Sequence, residues 1–219
     1  MALRGPGVLG PLAFLLKMPD MPPLILASAS ASRAALLTGA GLAFSRIPAD
    51  LDEDAIKDDG LARGLSPKAI AIKLAEAKAL HVSARHPGMV IGGDQVLQLE
   101  RDLISKSHSL DEARDLLTRM SGKIHYLHAG MALAENGQLL WSNAESAEMS
   151  VRPLTPAFID AYLAKTGDKI LSAVGCYQLE SEGVHLFDTI RGDYFTVLGL
   201  PLLPLLAQLR HYGLSFAIK

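Results

Sequence analysis

Ser28, Ser30 and Arg33 follow a short apolar run, Asp52 and Glu53 sit side by side, and Lys78, Asp94 and Lys106 come later in the chain. These are the residue types that hydrolysis of a phosphoanhydride requires. Cations offset phosphate charge, carboxylates hold a divalent metal such as Mg²⁺ or Mn²⁺, and one group orients or deprotonates water. Taken singly, Lys78 and Lys106 read as part of a solvated face. Asp94 reads differently, because it follows Val90-Ile91-Gly92-Gly93 and glycines let backbone approach a ligand closely. Ser28 and Ser30 suit the start of a helix carrying Arg33, and a capped helix start offers free amides to a phosphate. Neither GxxxxGK[ST] nor a GxGxxG after a strand is present, so P-loop and Rossmann readings lack support.

The elements that must place these residues alternate. Leu24–Ala27 reads as a strand, with Arg33–Thr38 as the helix behind it, closed by Gly39 and Gly41. Ser66-Pro67 starts a helix through Ile70, Leu74 and Ala77 to about Leu80, which carries Lys78. Met89–Gly92 is expected to be a buried strand that stops at Gly93-Asp94-Gln95 and so delivers a carboxylate at a strand end. Asp52 and Glu53 are expected in a loop. Ser109 with Glu112 forms a capping box for a helix to Met120, and Thr155-Pro156 begins another that ends at Gly167. His125–Ala134 and Gln138–Val151 flank Asn136-Gly137, the dipeptide suited to a type I′ turn, so an antiparallel pair is predicted. Val174–Phe187 reads as a glycine-rich strand region, and a last helix begins around Pro201. The fold class is α/β with a mixed, twisted sheet and flanking helices.

Composition narrows the function. The chain has 219 residues, enough for one α/β domain or two tightly joined lobes that bury roughly 70% of the unfolded surface. A formal net charge of −2 gives no basic excess for tracking nucleic acid. Cys176 is alone, so no intrachain disulfide forms and a reducing compartment fits. Residues 1–22 read as an extension predicted to be disordered: the apolar stretch Val8–Leu16 is broken by Gly10 and Pro11, and is too short to span a membrane. Met18 or Met21 could begin the compact domain, which is taken as 23–219.

Read in order, these segments resemble the Maf family of nucleotide pyrophosphatases. Leu24-Ile25-Leu26-Ala27-Ser28-Ala29-Ser30-Ala31-Ser32-Arg33 is similar to its LASxSPRR signature. Asp52-Glu53 is similar to its DE pair, Leu74–Ala79 to LAxxKA, and Gly93-Asp94-Gln95-Val96 to [GS]D[TQ]V. Lys106 matches the lysine of GKP, Ser121-Gly122 with His125 matches SGxxH, and Gly199-Leu200-Pro201 is a further match, so the likeness covers about residues 24–213. Two departures stand out: Ala31-Ser32 replaces Pro-Arg or Pro-Trp, and Ser105-Lys106-Ser107 replaces Gly-Lys-Pro.

The resemblance implies two lobes around a nucleotide cleft and a cytoplasmic enzyme that often forms dimers. It implies metal-dependent cleavage of a nucleoside triphosphate between its α and β phosphates, with Asp94 as proton acceptor and Glu53 helping to hold the metal. Ser28, Arg33, Lys78 and Lys106 would contact phosphates, and Ser30 would belong to the substrate-binding set. Ser32, Gln95 and Glu180 would lie towards the base. Pyrimidine-preferring relatives resemble glutamine where this chain has Glu180, and a carboxylate accepts from guanine's N1–H and 2-amino group, which points to the branch acting on 7-methyl-GTP. The rivals are a nucleotide-binding regulator linked to cell division and a pyrophosphatase for inosine triphosphate.

Overall fold

The computed structural model describes residues 22–213. The expected disordered extension lies outside the described residues, apart from Pro22. Seven strands form one mixed sheet. Strand β1 (Leu24–Ala27) lies between β2 (Phe44–Arg46) and β3 (Met89–Leu99), parallel to both. Beyond β3 come β5 (Ile124–Glu135), β6 (Gln138–Val151) and β7 (Phe187–Arg191), all antiparallel, while β4 (Asp102–Ile104) folds back on the end of β3. The helices are α1 (Ala31–Gly39), α2 (Glu53–Ala62), α3 (Pro67–Ser83), α4 (Leu110–Met120), α5 (Pro156–Thr166), α6 (Tyr194–Val197) and α7 (Leu202–His211).

Local chemistry sets most boundaries. The side chains of Ser30, Ser66, Ser109 and Thr155 each accept the N–H three residues on, which satisfies one of the free donors at the start of α1, α3, α4 and α5. Asn136 and Gly137 both have positive φ, 51° and 75°, as the tight turn between β5 and β6 demands.

The sheet buries both faces. On one, β1, β3 and β5 pack Leu26, Ile91 and Leu133 against Leu37 of α1 and Leu205 and Leu209 of α7. Further along, Leu97 of β3, Leu127 of β5 and Met149 of β6 meet Leu117 of α4 and Ile159 and Leu163 of α5. The opposite face carries α3, and two glycines let it come close. A Cβ at Gly92 would lie 2.1 Å from the carbonyl oxygen of Ala75, and one at Gly130 would lie 2.1 Å from that of Ala71.

Three expectations change. Strand β3 does not stop at Gly93-Asp94-Gln95 but runs to Leu99, because antiparallel pairing with β5 continues from Val90↔Ala134 to Leu99↔His125. Asp94 is mid-strand, opposite Gly130, and the partner that stops is β1, which pairs only as far as Gly92. Asp52 and Glu53 are not in a loop: Asp52 caps α2 by accepting from Ala55 N at 2.9 Å, and Glu53 is its first residue. Val174–Phe187 is not a strand region. It holds a turn with Cys176 at φ 54° and a 3₁₀ segment, Glu182–Leu186, before β7 starts at Phe187.

Candidate active site

From β1 the chain crosses through α1 to β2 on one side, and it later returns as β3 on the other. The carboxyl end of β1 is therefore a topological switch point, where open α/β sheets leave a crevice for ligands. A cavity of about 820 Å³ lies there, and all ten candidate residues line it: Ser28, Ser30, Ser32, Arg33, Glu53, Lys78, Asp94, Gln95, Lys106 and Glu180.

Lys78 and Asp94 meet because of the glycine seat. Ala75 rests on Gly92, and Lys78, one turn further along α3, lies beside Asp94, two residues further along β3. The Lys78 Nζ donates to Asp94 Oδ1 at 2.6 Å and stands 2.8 Å from Glu53 Oε1 at the start of α2. Lys78 and Asp94 are buried, 7% and 6% exposed, so this is no solvated lysine. Glu53 is half-buried and faces the cavity.

Arg33 is buried behind the serines. Its Nη1 donates to Ser28 Oγ at 3.0 Å and its Nε to the carbonyl oxygen of Gly199 at 2.8 Å. Burial pulls the guanidinium pKa down, while the charges of Asp94 and Glu53 push it back up. An arginine so placed stays charged. Ser28 Oγ also accepts from Ser30 N at 3.2 Å, which shapes the turn into α1.

At the other end of the cavity, Ser32 Oγ donates to Glu180 Oε1 at 3.4 Å across 148 residues of sequence. Glu180 is exposed, on the loop after Cys176 and Tyr177. That loop is anchored from below: Tyr162 Oη donates to the Cys176 carbonyl at 3.1 Å, and Tyr177 Oη meets His125 Nε2 at 2.7 Å. Burial pushes the Cys176 thiol pKa up. Its Sγ donates to Ser107 Oγ at 3.2 Å. Ser107, which stands where the motif has proline, thus ties the Lys106 loop to the Glu180 loop, and Lys106 itself is exposed on the cavity wall.

The segment after β7 went unrecognised in the sequence. Gln95 Nε2 donates to the carbonyl oxygens of Thr196 and Val197 at 3.0 and 3.1 Å, so its amide clamps α6, and Val197 and Leu198 complete the cavity wall. The available signal was Asp193 three residues before Thr196, whose N–H it accepts at 3.0 Å as the cap of α6.

The Maf-like protein family matches residues 23–212. The chain belongs to the Maf family. Three relatives cover nearly their whole length. A protein named nucleoside triphosphate pyrophosphatase from Caulobacter vibrioides is 49% identical over 89% of this chain and 98% of its own. Two named 7-methyl-GTP pyrophosphatase, from Bartonella henselae and Rhizobium meliloti, are 51% and 48% identical, covering 86% and 88% of this chain and 95% and 97% of theirs. The signature residues from Ser28 to Lys106 converge on one cavity, whereas Ser121, Gly122, His125 and the Gly199-Leu200-Pro201 segment lie outside its lining. Among the described residues no helix is long and apolar enough to cross a membrane.

Proposed function

We propose that this Maf protein hydrolyses a nucleoside triphosphate between the α and β phosphates, releasing a nucleoside monophosphate and pyrophosphate. The observation that carries the reading is the buried Asp94–Lys78 pair, joined by half-buried Glu53, beside the Arg33 and Ser28 pocket in a single cavity. Asp94 takes the proton of the attacking water. Lys106, Arg33 and the serines at the start of α1 offset the charge of the triphosphate. The names of the similar proteins from C. vibrioides, B. henselae and R. meliloti support the same chemistry.

The residues fit a divalent cation of one kind. Among the described residues no group of three or more His, Cys, Asp or Glu converges, so there is no closed cage. Glu53 and Asp94 face one cavity, and two carboxylates suit Mg²⁺ or Mn²⁺ that fills its remaining positions with phosphate oxygens and water. Bound there, the ion would neutralise charge on the departing pyrophosphate.

For the base we assign guanine, with 7-methylguanine preferred. Glu180 offers only acceptors, which suits two adjacent donors and repels the carbonyls of uracil or thymine. The same reading puts the enzyme in the cytoplasm, where Cys176 stays a thiol, and as a homodimer, which sedimentation would test.

The deciding experiment supplies canonical and modified triphosphates with Mg²⁺, Mn²⁺ or a chelator and identifies both products. Pyrophosphate should appear only with a divalent ion, and Asp94→Asn should keep nucleotide binding while lowering turnover by ~10² to 10⁴. Orthophosphate as first product, or nucleotide binding with no turnover, defeats the proposal. A dominant preference for inosine triphosphate would reassign the substrate.

A further inference from the structure

One oxygen of each carboxylate that suits a metal is already held by a cation. Lys78 Nζ lies 2.6 Å from Asp94 Oδ1 and 2.8 Å from Glu53 Oε1, bridging them from a position that is itself buried. A cation arriving alone would compete with this ammonium for the bridging position and would also meet the field of Arg33, which is close enough to feel both acids. The formal charges of Glu53, Asp94, Lys78 and Arg33 sum to zero. Ca²⁺ and Mg²⁺ sites gain affinity from ligand charge and count, and here Lys78 and Arg33 balance the charge while Lys78 takes one oxygen of each carboxylate.

We propose that Lys78 bars the Glu53–Asp94 pair from divalent cations until a nucleotide arrives. The triphosphate brings the missing negative charge. Its oxygens draw the Lys78 ammonium aside and supply the ligands that two carboxylates lack, so metal and nucleotide bind as one unit. The inference rests on the assignment of a nucleotide to this cavity. It goes further by making Lys78 a competitor of the metal as well as a phosphate contact.

The test is Mn²⁺ titration of the full chain without nucleotide, with the resonance signal of free Mn²⁺ as readout. It is repeated with a triphosphate whose α–β bridge is a methylene, where water-proton relaxation separates Mn²⁺ held by nucleotide alone from Mn²⁺ held by nucleotide and protein together. The wild-type protein without nucleotide should bind Mn²⁺ with a Kd of ~1 mM or weaker, and the methylene analogue should produce a protein-bound ternary species. Lys78→Met should bind nucleotide-free Mn²⁺ at least tenfold more tightly, with a Mn²⁺-dependent rise in Tm that the wild type lacks. Adding Asp94→Asn should remove that gain. A wild-type Kd in the micromolar range without nucleotide overturns the proposal. So does a folded Lys78→Met or Lys78→Gln that binds Mn²⁺ no better than wild type; if neither variant folds, the wild-type titration decides. Failure of pyrophosphate release with weak nucleotide-free binding would sink the activity and leave this inference standing, whereas release with tight nucleotide-free binding would do the reverse.

Discussion

His125 should make the fold acid-sensitive in a defined window. Its ring is fully buried between Tyr177 and Phe187, its Nε2 meets Tyr177 Oη at 2.7 Å, and its Nδ1 has no hydrogen-bond partner. Burial pushes its pKa from 6.5 down to about 4. The unfolded chain therefore takes up this proton below pH 6.5, while the native protein resists it until about pH 4. Stability is intact above pH 6.5 and falls as pH drops through that window. At ~1.4 kcal/mol per pH step, the loss is about 2 kcal/mol at pH 5 and levels off at about 3 kcal/mol below pH 4.

The perturbation is His125→Phe. At pH 7.5 it leaves the Tyr177 hydroxyl buried without its partner, which costs about 1 to 3 kcal/mol, partly offset by removal of the unpartnered Nδ1. The variant lacks the proton penalty, so its deficit should shrink by about 2 kcal/mol between pH 7.5 and pH 5. Adding Tyr177→Phe should recover stability at pH 7.5, since both partners are then gone while the ring keeps its edge contact with Phe187 at 4.9 Å. Urea unfolding at the two pH values measures this, and other titrating groups cancel in the difference. If wild type and variant lose stability in parallel between pH 7.5 and 5, the account of His125 is wrong.

Gly92→Ala places a methyl 2.1 Å from the Ala75 carbonyl oxygen, so α3 must move off β3 and carry Lys78 away from Asp94; a loss of more than about 3 kcal/mol in denaturant midpoints together with lost turnover is expected, and near-normal values for both would remove the glycine seat from the explanation. Glu180→Gln should move the preference from 7-methyl-GTP and GTP towards UTP and dTTP by roughly ten- to a hundredfold in kcat/KM. An unchanged ranking would mean that Glu180 does not read the base.

What was legible in the sequence was what short segments decide alone. The turn at Asn136-Gly137 and the caps Ser66, Ser109 and Thr155 act over four residues, so they read correctly. The candidate site residues were legible through motif spacing, yet their environment was not. Glycines 92 and 93 looked like the end of a strand, whereas their bare backbone serves α3 and the Arg33 side chain, partners distant in the chain. Lys78 alone resembled a surface lysine because its burial depends on that same seat. The stretch from Val174 looked like strand, but Cys176 adopts a left-handed conformation, rare for a residue other than glycine, and is fixed by Tyr162 and Ser107 from elsewhere. The Gln95 clamp was invisible because it needs α6, a helix of four residues.

The switch point also orders events in time. Strands β5 and β6 are neighbours in sequence joined by two residues, so their pairing closes a short loop. By contrast, Leu24 finds Met89 across most of the N-terminal half, and Arg33 reaches Gly199 over a separation of 166 residues. Loop closure is therefore expected to favour the antiparallel half of the sheet forming ahead of the arginine pocket. During refolding, circular dichroism should recover ahead of pyrophosphate release, and a single shared rate would contradict that sequence of events. A chain that ends before Gly199 would carry Ser28, Lys78 and Asp94 but lack the carbonyl that holds Arg33, so activity is expected only in chains that reach past that residue.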